Sequence, residues 1–181
     1  MITPEGRKTV EGLLKRLNVV WIILFAAVAA VAAVNIFILQ SGGPLIPIEA
    51  AFITPLSAML GIVALVDVGA IVFIDRWLKS DKGLKNYMQG RGPTAIKINL
   101  PTAGLLDDDK LVVTMLPHYF QICVIRWALA ASVGIYGFVI AALSGTAYVP
   151  SLFYAAAVAL LWVFRYSFEE VEALAMRARS L

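Results

Sequence analysis

Charged residues, histidine and cysteine are all scarce in this sequence, and each scarcity excludes a class of protein. Only 15% of the 181 residues are Asp, Glu, Lys or Arg, which is too few to cover the surface of a soluble domain. The single cysteine, Cys123, excludes a framework of intramolecular disulfides. The single histidine, His118, excludes a bis-histidine haem or a histidine-rich metal site within one chain, but leaves open a single axial ligand to a metal or pigment.

The sequence also lacks the short motifs that usually mark catalysis. It contains no P-loop, no G-x-S-x-G, no H-E-x-x-H and no C-x-x-C. No Cys/His pair or spaced pair of carboxylates suggests a nucleophile and its base. We therefore expect no enzymatic activity, with an active site shared with partner chains as the least favoured alternative.

Apolar residues dominate what is present. They make up 61% of the chain, and the mean hydropathy is +0.85. Four apolar runs, most of them about twenty residues long, predict membrane-crossing helices at 19–40, 50–74, 120–143 and 152–168. The predicted fold is therefore all-α, an integral membrane protein with four transmembrane helices arranged as two hairpins. Its predicted parts are an amphipathic N-terminal helix (1–18), a first hairpin (19–75), a cytoplasmic loop (76–118), a second hairpin (119–168) and a cytoplasmic tail (169–181).

The distribution of basic residues predicts the topology. Neither of the short loops 41–49 and 144–151 contains any of the 15 Lys and Arg residues. Since positive residues are retained on the cytoplasmic side, both termini and the central loop are expected in the cytoplasm, in a prokaryotic inner membrane. The net charge of +3 therefore reflects topology, and we expect no nucleic-acid partner.

The segments outside the spans give further predictions. Residues 5–18 place apolar side chains at helical spacing among basic ones, which indicates a helix on the membrane surface or, alternatively, a helix that binds a partner. Residues 95–100 alternate like a short strand. The aspartates at 107–109 are typical of a solvated face or a helix N-terminus, with cation binding as the alternative. Aromatic residues near the span ends fit interfacial positions: Trp21, Trp77, Tyr119, Tyr148 and Tyr166.

Two charges lie inside the predicted spans. Asp67 lies eight residues before the inner end of span two, and Arg126 about seven residues after the inner end of span three. At about 1.5 Å per residue both lie roughly 10 to 12 Å deep, so the sequence predicts an ion pair between them. The alternatives are that Arg126 reaches the headgroups while Asp67 is protonated or bonded to Ser, Thr or backbone groups, or that the two line an ion path.

The third span contains a ridge of small residues, Ala130, Gly134, Gly137 and Ala141, of the kind that lets helices pack closely in lipid. This span resembles the outer helix of the proteolipid c-subunits of rotary ATPases, and the matching residues are Ala128, Leu129, Ala130, Ser132, Ile135, Tyr136, Gly137 and Val139. The resemblance covers about 20 residues and implies tight helix packing in an oligomer. Ala131 stands where that family keeps its ion-binding carboxylate, and the family's glycine-rich inner helix is absent from the other spans.

These observations predict a non-enzymatic membrane subunit that self-assembles or stabilises a larger membrane complex by close helix packing. Its expected partners are membrane lipids and either further copies of itself or other membrane subunits. The alternative is an ion or proton transport component that uses Asp67 and Arg126. The sequence identifies no cofactor and no metal site.

Overall fold

The computed structural model describes residues 3–40, 44–46, 48–91 and 106–181. All regular structure in these residues is helical. The six helices are α1 (Pro4–Gln40), α2 (Ala50–Leu78), α3 (Asp81–Met88), α4 (Asp107–Ser144), α5 (Tyr148–Val163) and α6 (Phe168–Arg179). The strand expected at 95–100 lies outside the described residues.

Three of these helices are long and apolar enough to cross a membrane, namely Gly6–Phe37 within α1, Ala51–Leu78 within α2 and Asp109–Ser144 within α4. A fourth crossing results if α5 and α6 together count as one broken span. Helix α5 has only 16 residues, fewer than the roughly 20 that span the hydrocarbon core. The chain is therefore an all-helical protein with three or four helices suited to a membrane.

Helix boundaries differ from the sequence expectation at two places. The amphipathic segment and the first span form one continuous helix, α1, which begins at Pro4, a residue favoured in the first helical turn. Helix α4 begins at Asp107, about a dozen residues before the predicted span, so the aspartates occupy a helix N-terminus, where negative charge is favourable. Pro117 lies inside this helix without ending it.

The chain divides into two compact units, each described here by itself. Residues 21–72 and 126–164 form the apolar unit, which contains most of α1 and α2, the second half of α4, and α5. Within it α4 contacts three other helices, because Gly134 packs on Val28 of α1 and Ala157 of α5, and Ser132 contacts Asp67 of α2.

The polar unit comprises residues 1–20, 73–125 and 165–181. Helices α3 and α6 contact each other there, and Arg177 Nε lies 2.6 Å from Asp81 Oδ1. Val10, Leu14 and Leu17, the apolar face of the first turns of α1, are buried. That face is therefore covered within the protein instead of lying open to a membrane surface or a partner.

Candidate functional site

Asp67 of α2 is held by two hydroxyl groups of α4 within the apolar unit. Its Oδ2 atom lies 2.6 Å from Ser132 Oγ and accepts a hydrogen bond of 2.8 Å from the Tyr136 hydroxyl. Ser132 Oγ is also 2.7 Å from the carbonyl oxygen of Leu129, one turn earlier in the same helix. Four oxygen atoms thus form a connected cluster at half-buried side chains of α2 and α4.

These contacts bear directly on the ion pair that the depth comparison predicts. Asp67 meets Ser132 and Tyr136 and not Arg126, and within the described residues no basic side chain forms an ion pair with it. Ser132 lies six residues beyond Arg126, or about 9 Å along the helix axis. Sequence reasoning had a signal for the two hydroxyls, since Ser132 and Tyr136 are polar residues spaced i, i+4 on one face of an apolar helix.

Arg126 is almost completely buried, with 1% of its surface exposed. Its guanidinium carbon lies 5.4 Å from the centre of the Phe164 ring, within the range of a cation–π interaction. Phe164 is the residue that follows the last turn of α5, so the positive charge lies near the C-terminus of that helix. The partial negative charge of a helix C-terminus stabilises such a cation.

Two tryptophans bind backbone carbonyls at the same end of α5. Trp21 Nε1 of α1 donates to the Leu161 carbonyl, and Trp127 Nε1 of α4 donates to the Phe164 carbonyl, both at 2.9 Å. The last carbonyls of a helix have no partner within it, and an unsatisfied carbonyl in an apolar environment is costly. The indoles therefore complete a helix end. Trp21 is only 8% exposed, so it is not the interfacial aromatic that the sequence suggests.

The small-residue ridge of α4 is covered within the chain. Ala130, Gly134, Gly137 and Ala141 are all buried. A β-carbon at Gly134 would lie 3.3 Å from a methyl carbon of Val28 on α1, and one at Gly137 would lie 2.9 Å from Phe153 Cβ on α5. This ridge therefore serves the packing of one chain, as small residues do at close helix crossings.

A second set of small residues, on α1, is left open. Ala26, Ala29, Ala30 and Ala33 are all exposed, whereas Val28 and Asn35 on the opposite side of the helix are buried. The two sets consist of similar residues at similar spacing. One is used inside the chain, and the other is not.

An apolar cleft of about 200 Å³ lies between α1 and α4 in the apolar unit. It offers no polar atom that could orient a polar ligand, and its lining consists of Leu24, Ala27, Val28, Val31, Ala131, Gly134 and Ile135. Elsewhere in this unit, Asn35 Oδ1 and the Tyr154 hydroxyl are buried without a hydrogen bond to any described residue. The Asp67 cluster is thus the best connected polar feature of the unit.

In the polar unit His118 is fully buried in α4. Its Nε2 atom lies 3.0 Å from the carbonyl oxygen of Leu78, the last residue of α2, so the ring donates to another helix end. The Tyr87 ring lies 4.5 Å from the imidazole, and its hydroxyl donates to the Thr114 carbonyl. Burial raises the pKa of the Tyr87 phenol, which keeps this donor protonated. These contacts give His118 a structural role and use the ring nitrogen nearest a would-be ligand partner.

Tyr119 connects α4 to the start of α6. Its hydroxyl donates to Glu170 Oε2 at 2.9 Å and accepts from the backbone N–H of Ser167 at 2.7 Å. Glu170 also receives Lys79, whose Nζ lies 3.0 Å from Glu170 and 2.8 Å from Asp75. Tyr119 is fully buried, so this residue too differs from the interfacial position expected for it.

Asp109 is a buried acceptor at the N-terminus of α4, and both the backbone N–H and the hydroxyl of Thr3 donate to it. A β-carbon at Gly6 would lie 2.5 Å from the Asp109 carboxyl carbon, so glycine is required for this approach. In the described part of the chain no group of three or more His, Cys, Asp and Glu side chains is placed to hold a metal ion.

Comparisons with protein-family models, with curated proteins and with solved structures found no match. The resemblance of the third span to c-type proteolipids therefore rests on the residues between Ala128 and Val139 alone.

Proposed function

We propose that this chain is a non-enzymatic integral membrane subunit that self-assembles or stabilises a larger membrane complex by close helix packing. The observation that carries the proposal is the exposed alanine set of α1, formed by Ala26, Ala29, Ala30 and Ala33. In lipid, helices associate through close van der Waals packing, since exposed apolar surface gains nothing by leaving acyl chains. Small side chains permit that close approach.

The contrast with α4 gives the argument its direction. The ridge on α4 is already occupied by α1 and α5, so it has no surface left for another chain. The alanine set is the comparable surface that remains open. We infer that a helix of a second copy, or of another membrane subunit, packs against it, with membrane lipids around the remaining apolar surface.

The proposed arrangement in the membrane is two hairpins joined by a cytoplasmic loop, with both termini in the cytoplasm. The absence of Lys and Arg from the loops 41–49 and 144–151 supports this orientation. The polar residues of the central loop and the C-terminal helix would then be available to cytoplasmic partners.

Disulfide cross-linking of cysteine variants in native membranes tests the assembly. Cys123 is buried and is replaced by alanine in the background used. Ala33→Cys carries the reporter on the alanine set, and Val34→Cys is the matched control because it lies at the same depth but about 100° around the helix. Both positions are exposed.

We expect cross-linking from position 33 and little or none from position 34. A product of twice the chain mass indicates self-assembly, and a product with another membrane protein indicates a mixed complex. No product from either position, or equal products from both, contradicts the proposal.

The alternative function is an ion or proton transport component in which Asp67 and Arg126 line a polar path. The observation that favours it is the cluster of oxygen atoms around Asp67. Purified protein in liposomes would then conduct ions or protons, and Asp67→Asn would abolish the flux. Flux that is absent from the wild type excludes this alternative.

A further inference from the structure

The contacts of Ser132 impose a count of protons on the cluster around Asp67. The serine hydroxyl has one proton and lies within hydrogen-bond distance of two oxygens, Asp67 Oδ2 and the Leu129 carbonyl. The carbonyl can only accept. If the serine proton points to Leu129, the short contact with Asp67 needs a second proton, and that proton can only be on the carboxyl group.

The Tyr136 hydroxyl does not supply that proton to Ser132. It lies 2.8 Å from the same Asp67 oxygen, and its own proton occupies that contact. With an ionised carboxylate, one of the two short contacts of Ser132 would lack a proton. With a carboxylic acid every contact is a hydrogen bond: Tyr136 donates to Asp67, Asp67 donates to Ser132, and Ser132 donates to Leu129.

The surroundings of Asp67 favour the neutral form for an independent reason. Asp67 lies in the middle of an apolar helix suited to cross a membrane. Within the described part of the chain no basic side chain forms an ion pair with it. A charged carboxylate in hydrocarbon is costly, whereas a carboxylic acid with its hydrogen bonds satisfied is much less so.

We propose that Asp67 is a proton-binding site in which the carboxylic acid is held between α2 and α4 by Tyr136 and Ser132. Bound proton and chain of donors run in one direction, from the tyrosine through the carboxyl to the serine and the Leu129 carbonyl. The site does not depend on whether the chain assembles with other chains, since all four groups belong to one protomer.

Infrared spectroscopy of the full-length protein in lipid bilayers tests the site, because a carboxylic acid has a C=O stretching band separate from those of carboxylates and amides. At neutral pH we expect the wild-type spectrum minus that of Asp67→Asn to contain this band. The same subtraction with Asp107→Asn should contain none, because Asp107 is 96% exposed at its side chain and ionises in water. A difference spectrum for Asp67→Asn without the band overturns the proposal.

A second pair of variants decides the case in which Asp67→Asn fails to fold. Tyr136→Phe and Ser132→Ala each remove one hydrogen bond of the acid and leave Asp67 in place. Each should shift the carboxylic acid band to higher wavenumber, while helicity measured by circular dichroism stays at the wild-type level. A band that neither variant shifts belongs to another carboxyl group and overturns the assignment.

Discussion

Gly137 of α4 approaches α5 so closely that a β-carbon on it would lie 3.0 Å from the backbone oxygen of Pro150 and 2.9 Å from Phe153 Cβ. Neither obstacle lies at the end of a flexible side chain, so the helices would have to move apart to accommodate even a methyl group. Close packing of α4 on α5 therefore depends on the absence of a side chain at this position.

The first prediction is that Gly137→Ala destabilises the protein. Overpacking of this kind costs about 1 to 3 kcal/mol. The measurement is the free energy of unfolding in mild detergent as denaturant is added. Gly61→Ala is the matched control, because a β-carbon there meets no atom within 4 Å and alanine favours a helix. Equal losses of stability in the two variants would contradict the packing argument.

The second prediction concerns the turn between α2 and α3. A β-carbon at Gly83 would collide with the Trp77 carbonyl and lie 2.8 Å from that of Leu78, both at the end of α2. Gly83→Ala should therefore displace α3 and lower the melting temperature. Gly12→Ala, in a position with nothing within 4 Å, should leave it unchanged or slightly raised. A Gly83→Ala variant as stable as Gly12→Ala would show that the turn adjusts freely.

The third prediction is that Tyr119→Phe weakens the start of α6. The phenol oxygen accepts from the Ser167 N–H and donates to Glu170, so its loss leaves two polar groups without a partner. A cost of about 1 to 3 kcal/mol is expected for such groups when they are buried. Amide hydrogen exchange should become faster at Ser167. Tyr148→Phe is the control, since Tyr148 is 77% exposed, and comparable effects from both substitutions would refute the role of Tyr119.

The fourth prediction is the orientation in the membrane. In a Cys123→Ala background, Leu45→Cys should react with an impermeant thiol reagent added outside intact cells, and Ser180→Cys should react only after the cells are opened. Both positions are exposed. The expected pattern follows from the basic residues that flank the termini and are absent from the first loop. The reverse pattern would place the termini outside.

Local sequence features were sufficient to predict where the helices lie. Apolar runs located the membrane-suited helices, because a helix must satisfy its own backbone and present apolar side chains in lipid. The run of aspartates at 107–109 indicated a helix N-terminus, and α4 begins there. The exact ends were less predictable, because helical propensity continues beyond the apolar run: α1 and α4 both extend well outside their predicted spans.

The partners of Asp67 show what sequence could not determine. Depth along a helix compares heights only, and a span boundary misplaced by one or two turns shifts the comparison by about 5 to 10 Å. It contains no information on which face of α4 points to α2. That choice depends on the packing of several helices at once, and the structure joins Asp67 to Ser132 and Tyr136.

The sequence by itself determined that this is an all-helical chain suited to a membrane, since both properties follow from composition and periodicity within single segments. Only the tertiary structure decided which small-residue face is covered. Ala26 to Ala33 on α1 and Ala130 to Ala141 on α4 look alike as sequences, yet the second set is buried and the first exposed. The physical reason is that packing in lipid rewards close fit between two particular surfaces, which is a property of helix pairs and not of one helix.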